Sequence, residues 1–504
     1  MGPTEPKSVT STKDAQDAAS CKDAPTGTSD EQPQTPYSVL SERERIFTIC
    51  ISSMTTFLTP VAANMYLTAL GPLARDMHVS DYKISLTITI FKIVEAIAPL
   101  LPAGYSDRNG RRPLVLASIS IYFASNIGLA LQDNYAALFV LRCLQAFGSS
   151  SLSPLSFATV ADLVPRAERG RYMFYSMLGM TVGPAIGPIL GGVLTQYLGW
   201  RSIFWFLTIS AGVLICAILL FLRETCRAVV GNGSVPPQSW NRTILQIIRP
   251  NNQALSQHES QATATRPRLG IIATLLIVLE RHVSLLAISS AVSFGGTTAI
   301  LTTLPILLER KYGLNSLQIG LCFLTFTLGA IACRWNTGIL VDRNYKRHAR
   351  MIGANLQSNQ ELPVDQRLFP IEKVRLELTL PFLYLACLSI IAYGWLMEFD
   401  VHLAAPLIVL FVLGNASSGT INCINNLAVD LNPHRPAATI ASMNTAKHLT
   451  AAGAVAAAVP LIDAIGIGWT ATLVAALCGL VSLTLWVLYA KGQGWRQKGV
   501  SEQD

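Results

Sequence analysis

From about residue 46 onward the chain alternates between long apolar runs and short breaks rich in glycine, proline or charge. A helix needs about 20 mainly apolar residues to cross a bilayer, and these runs reach that length. Six fall near 46–70, 84–105, 113–132, 136–163, 172–198 and 201–222, and six more near 283–308, 317–341, 376–397, 403–431, 437–463 and 469–490. A polar stretch from Arg223 to about Arg281 separates the two sets. The pattern predicts an all-α membrane protein of 12 transmembrane helices in two six-helix halves. The expected organisation is a cytoplasmic tail (1–44), an N-terminal half (45–222), a cytoplasmic linker (223–282), a C-terminal half (283–490) and a second short tail (491–504). The first tail is rich in Ser, Thr, Pro, Asp and Gln, lacks an apolar core, and reads as disordered.

Composition strengthens this picture. Of 504 residues, 51% are hydrophobic and 13% charged, against about 25% charged in an average soluble domain. A net charge of +8 would suit nucleic acid, but the basic residues sit in short breaks between apolar runs. Placing the N-terminus inside puts Arg108, Arg111 and Arg112, then Arg166, Arg169 and Arg171, then the linker, then Arg343, Lys346, Arg347 and Arg350, then Lys491, Arg496 and Lys498 in the cytoplasm. The opposite breaks hold Arg75, Lys83, Arg201, Arg310 and Lys311. That asymmetry predicts a multi-pass protein with both termini cytoplasmic, expected in the plasma membrane. The ten cysteines show no metal-ligand spacing. No nucleophile–base set or phosphate-binding glycine loop stands out, so neither an enzyme nor an ATP-driven pump is expected. Within the linker, Trp240 to Arg249 carries an apolar face (Trp240, Ile244, Ile247, Ile248) that would lie on the membrane or pack on the bundle.

Several motifs carry chemistry. Asp107-Arg108-Asn-Gly110-Arg111-Arg112 follows the second run, and Asp342-Arg343-Asn-Tyr-Lys-Arg347 follows the eighth at the matching place. Gly110 permits a tight turn, and Asp107 is placed to pair with basic residues across a helix seam. With Ala103 four residues before Asp107, the first copy resembles the loop signature of the major facilitator superfamily, Gly-x-x-x-Asp-Arg-x-Gly-Arg-Arg. It departs at the first position, whereas the second copy keeps Gly338. Arg142-Cys-Leu-Gln145-Ala-Phe-Gly148 resembles that superfamily's fourth-helix pattern, whose arginine the resemblance links to proton coupling. A structural arginine bonded to carbonyls is the other reading. Gly179, Gly183, Pro184, Gly187, Pro188 and Gly191 resemble the fifth-helix motif that marks antiporters. Glycines four apart also make a smooth face for close helix packing. Asn64 and Tyr66 in the first run and Asn422 and Asn425 in the tenth are expected either to line the substrate and proton pathway or to bond helix to helix; with Leu362–Asp365 and Phe369–Glu372, their segments resemble fungal twelve-span drug:proton antiporters of the quinidine-resistance type. The likeness covers roughly residues 40–495.

Three ionisable residues fall at midplane depth. Lys92 and Glu95 are three apart on one face of the second helix, and Lys447 lies in the eleventh. Three readings stand: a local structural ion pair, part of the substrate and proton pathway, or a Lys92 set away from midplane by different span boundaries. On the second, Lys92, Arg142 and Lys447 bias the cavity toward anionic or zwitterionic substrates and Glu95 carries the proton.

The resemblance therefore implies a monomeric, proton-coupled antiporter that exports a small molecule (drug, organic acid or secondary metabolite) by alternating access. The lipid bilayer is its other partner, nucleic acid is not, and it needs no cofactor beyond the proton gradient. A proton-coupled importer and a non-transporting membrane sensor are the alternatives.

Overall fold

The computed structural model describes residues 39–165, 168–232, 235, 237–238, 241–248, 275–351, 370–399, 401–432 and 435–501. Trp240, Leu362–Asp365 and Phe369 lie outside them, as do nearly all of the first tail and the side chains of Asp107 and Arg108. All regular elements among the described residues are helices. Ten are long and apolar enough to cross a membrane. Two more spans are each made of two helices in line: Asp81–Ile97 with Leu100–Asn109, and Tyr135–Ser150 with Leu152–Leu163. The backbone stays in the right-handed helical region at Ala98, Pro99 and Ser151, so both pairs continue across their breaks. Pro99 has no N–H to give the carbonyl of Glu95, which accounts for the first interruption.

The remaining spans, in chain order, are Glu42–Thr68 (first), Arg111–Leu131 (third), Arg169–Leu198 (fifth) and Arg201–Phe221 (sixth). In the second half they are Arg281–Tyr312, Ser316–Met351, Ile371–Glu398, Ala404–Leu431, Pro436–Ile465 and Ile467–Ser501 (seventh to twelfth). The first helix opens on a reciprocal cap. Ser41 accepts from the Glu44 N–H and the Glu44 carboxylate accepts from the Ser41 N–H.

Two helices overrun their expected ends. The eighth reaches Met351 instead of 341, and the twelfth reaches Ser501 instead of 490. Their tails are polar, so hydropathy hides them, and neither contains a proline to stop the helix. The described part of the linker holds short helices at Arg227–Val230 and Ile244–Ile248.

Packing follows a two-fold plan. Within the halves, the first span packs on the fifth, the third on the fourth and sixth, the eighth and ninth on the tenth, and the ninth on the twelfth. Across the seam, the second packs on the eleventh and the fifth on the eighth. The latter two contacts exchange under a two-fold relating the halves. Ties between the halves concentrate at midplane and at the end away from the chain termini. There Arg75 pairs with Glu309, and Arg310 with Asp81.

The fifth span is wedged between both halves. A side chain at Gly179 would start 2.7 Å from the Ser53 carbonyl oxygen, and one at Gly191 would start 2.7 Å from that of Met65, both on the first span. At Gly192 it would start 2.7 Å from the Ser316 carbonyl oxygen of the eighth span, in the other half. Pro188 cannot donate to the Pro184 carbonyl. Thr327 of the eighth span does so from the opposite half, at 3.3 Å.

Candidate functional site

At 1.5 Å per residue, Lys92 lies about 17 Å from the start of its helix at Asp81, and Lys447 about 17 Å from Pro436. The two helices start at opposite ends of the bundle, so both lysines sit near the middle of a core about 30 Å thick. They are joined there by Arg142, Glu95 and a residue that the sequence reading passed over, His448.

The Lys92 ammonium donates to Glu95 Oε2 at 2.7 Å, with both side chains about 15% exposed. The same Oε2 lies 3.4 Å from His448 Nδ1 on the eleventh span. One carboxylate oxygen thus meets a cation from its own helix and an imidazole from the other half. One residue on, Thr445 of the eleventh span donates to the Ala96 carbonyl at 3.1 Å. The His448 ring stands edge-on to Phe294 of the seventh span, with centroids 5.3 Å apart.

Arg142 is buried, at 1% exposure. Its guanidinium lies 3.9 Å from the Tyr66 ring centre and 4.4 Å from that of Phe91. Nη1 donates to Gln145 Oε1 at 2.6 Å, and Gln145 donates on to Asn126 at 2.7 Å. Nε has no partner. Tyr66 is positioned in turn by a 2.6 Å bond between its hydroxyl and Thr87. Lys447, at 5% exposure, donates to Asn425 Oδ1 at 3.3 Å. Arg142 and Lys447 are therefore buried cations held by neutral partners among the described residues, and a buried charge without a counter-ion is costly. Asn64 turns back on its own helix, donating to the Pro60 carbonyl at 2.7 Å, and is not brought to this group. Asn422 is half-buried on the tenth span.

The two loop motifs part company. In the first copy the chain turns at Gly110, with φ +108°. A side chain there would start 2.4 Å from Glu224 Oε2. The contacts of Arg111 and Arg112 seen among the described residues lie within their own half. Arg111 Nε donates to Asp162 at 3.0 Å, and Arg112 Nη2 to the Leu219 carbonyl at 3.3 Å. In the second copy Tyr345 stands where the first has Gly110. A tyrosine does not readily take positive φ, so the helix continues through Asp342, Arg343 and Arg347, all three exposed. The repeat marks a loop in one half and a helical extension in the other.

Glu224, another residue the sequence reading missed, organises the first copy. Its Oε1 accepts from the backbone N–H groups of Arg111, Thr225 and Cys226 at 2.8–2.9 Å. Its Oε2 accepts from the Arg112 N–H at 3.2 Å and from Asn241 Nδ2 at 2.7 Å. The signal was a carboxylate just past an apolar run, on the same end as the arginine motif. Each buried donor left unpaired costs about 1–3 kcal/mol. Glu224→Ala is expected to lower the thermal unfolding midpoint in detergent by several degrees, and Glu224→Gln by less.

A cavity of about 450 Å³ lies far from this chemistry, at the end away from the termini, lined by Arg75, His78, Asp81, Glu309 and Arg310 among others. Four of those groups form the ion pairs Arg75–Glu309 and Arg310–Asp81 that tie the halves at that end. The midplane cluster is the better candidate site, because it gathers buried charge from both halves.

Comparison with known proteins agrees with this architecture. The model of the Major Facilitator Superfamily matches residues 52–455. The MFS-type transporter clz19 of Cochliobolus lunatus is 41% identical over 94% of this chain and 90% of its own length. Citrate exporter 1 of Aspergillus niger is 30% identical over 93% of this chain and 89% of its own. A bacterial homologue of the human lysosomal transporter Spinster, solved in an inward-facing, unoccupied conformation, shares the fold. Its TM-score is 0.60 at 13% identity, covering 91% of this chain and 95% of that one. With twelve helices in two halves, a seam of second–eleventh and fifth–eighth contacts and full-length relatives that are transporters and not enzymes, the chain belongs to the major facilitator superfamily of membrane transporters.

Proposed function

We propose that this transporter is a proton-coupled antiporter of the drug:proton type that exports small organic anions or zwitterions by alternating access. It would act as a monomer in the plasma membrane, with its termini in the cytoplasm. The observation that carries the reading is the midplane charge balance. Arg142 and Lys447 are buried on neutral hydrogen-bond partners, and the cluster's carboxylate, Glu95, is already engaged by Lys92. The site carries surplus positive charge, and a ligand carboxylate would offset the cost of burying it. The name of one full-length relative, a citrate exporter, points the same way. The antiporter-type glycine and proline pattern of the fifth span favours exchange.

Exchange requires proton and substrate to exclude one another, and Glu95 is where they meet. A substrate that rests a carboxylate on Arg142 and Lys447 and reaches Glu95 with a hydroxyl or ammonium takes the proton's place.

The test uses inside-out vesicles from overproducing cells, with an acid lumen and matched organic anions, zwitterions and cations outside. Anions or zwitterions are expected to accumulate, and collapsing the pH gradient should stop them. Preference for the cations, or accumulation that needs protons moving with the substrate, would overturn the reading.

A further inference from the structure

The proton's point of entry into the cycle follows from one contact that crosses the seam. Glu95 and His448 belong to opposite halves, on the second and eleventh spans, and their side chains are 15% and 20% exposed. The Nδ1–Oε2 separation is 3.4 Å, and Nδ1 makes no hydrogen bond. The two groups are placed for one that is not made. Glu95 also sits at the interruption of its helix. Pro99 leaves the Glu95 carbonyl without its usual donor, and regular helix stops at Ile97 and resumes at Leu100. The carboxylate is therefore carried on a point where the second span can bend.

We propose that Glu95 and His448 form a proton-binding pair that exists only while the second and eleventh spans are together at midplane. The incoming proton lies between Nδ1 and Oε2, His448 donating and Glu95 accepting. The inference rests on the proton-coupled reading above and assigns its coupling site.

Burial opposes a charge on His448, so the pair holds the proton only if the charges around it outweigh that cost. Lys92 on the second span and Lys447 on the eleventh oppose a proton on His448. Arg142 on the fourth lies on the Glu95 side of the cluster and favours the ionised carboxylate. The seventh span offers the uncharged ring of Phe294. Glu95 is the group that favours a proton on His448. When the halves rock apart, Lys92 leaves with Glu95, and His448 keeps Lys447 on its own helix and loses the carboxylate that lay 3.4 Å away, so it gives up the proton. Glu95 keeps Lys92, at 2.7 Å on its own helix, and stays ionised and ready for a substrate donor. Paired spans hold one more proton than parted spans. By linkage, acid favours the paired arrangement.

The experiment measures this without a substrate. Nitroxide labels at Asn109→Cys and Ala438→Cys report the separation of the second and eleventh spans at the end bearing the termini. The background lacks the exposed native cysteines, and the full chain is held in lipid nanodiscs. One linked proton changes the ratio of the two separations by up to about tenfold per pH unit. The parent is expected to show that shift, with one population growing on acidification. Glu95→Gln and His448→Gln should each hold the ratio constant across pH. Phe294→Leu, which removes only the ring contact, should keep the shift.

A parent ratio that ignores pH overturns the inference, as does an unchanged shift in both glutamine variants, or its loss in Phe294→Leu. The proton-coupled reading fails by a different result, the absence of gradient-driven accumulation in vesicles of the parent.

Discussion

Gly191→Leu is expected to abolish recovery of folded, monodisperse transporter, while Gly453→Leu leaves it intact. The contrast isolates close approach from helix propensity, because both substitutions put leucine into a long apolar helix. At Gly191 the first side-chain carbon would lie 2.6 Å from Thr68 Oγ1, 2.7 Å from the Met65 carbonyl oxygen and 2.8 Å from the Met65 Cα. Two of these are main-chain atoms of the first span and cannot rotate away. Around Gly453 nothing lies within 4 Å. Overpacking a core by flexible neighbours costs about 1–3 kcal/mol, and a backbone clash costs more because a whole helix must shift. The fifth span is also the wedge between the first and eighth, so the strain reaches both halves. Size-exclusion profiles of detergent-extracted, fluorescently tagged variants read this directly. A normal Gly191→Leu profile would show that the stripe is a by-product of composition.

The sequence makes some of this visible and hides the rest for identifiable reasons. Apolar runs reveal spans because bilayer thickness fixes a length, and the helices begin and end within a few residues of most expectations. Where they differ, at Met351 and Ser501, a polar helix leaves the bilayer with no proline to end it. The Lys92–Glu95 pair is legible because three residues on a helix share a face. The Glu95–His448 contact is not, because it depends on which spans meet at the seam. The signal available was weaker: His448 follows a midplane lysine inside an apolar run, and an ionisable residue there is a functional candidate by default. The loop repeat misleads in its second copy because pattern similarity outweighed the single exchange that matters, Gly110 against Tyr345. For Arg142, sequence left two readings open, one structural and one functional. The geometry now separates them by experiment.

Arg142→Met is expected to keep the fold and lose transport. The guanidinium lies against the faces of Tyr66 and Phe91, and its polar contacts are a single bond to Gln145. Methionine has comparable reach and packs well against aromatic rings. A buried charge held only by neutral partners is costly, and an apolar side chain of similar volume removes that cost. The thermal midpoint should therefore stay or rise. Affinity for an anionic substrate should fall steeply. Truncating one partner of a buried charge pair costs about 2–5 kcal/mol, or roughly 30-fold to a few thousand-fold in KM. Arg142→Lys keeps the charge but loses the planar contact with the two rings, so it should recover part of the affinity while melting below the methionine variant. A structural arginine makes the opposite forecast: methionine unfolds the protein, and lysine restores folding and transport together. Measuring melting and KM on the same three proteins decides between them, because only a substrate-binding arginine lets the two quantities move in opposite directions.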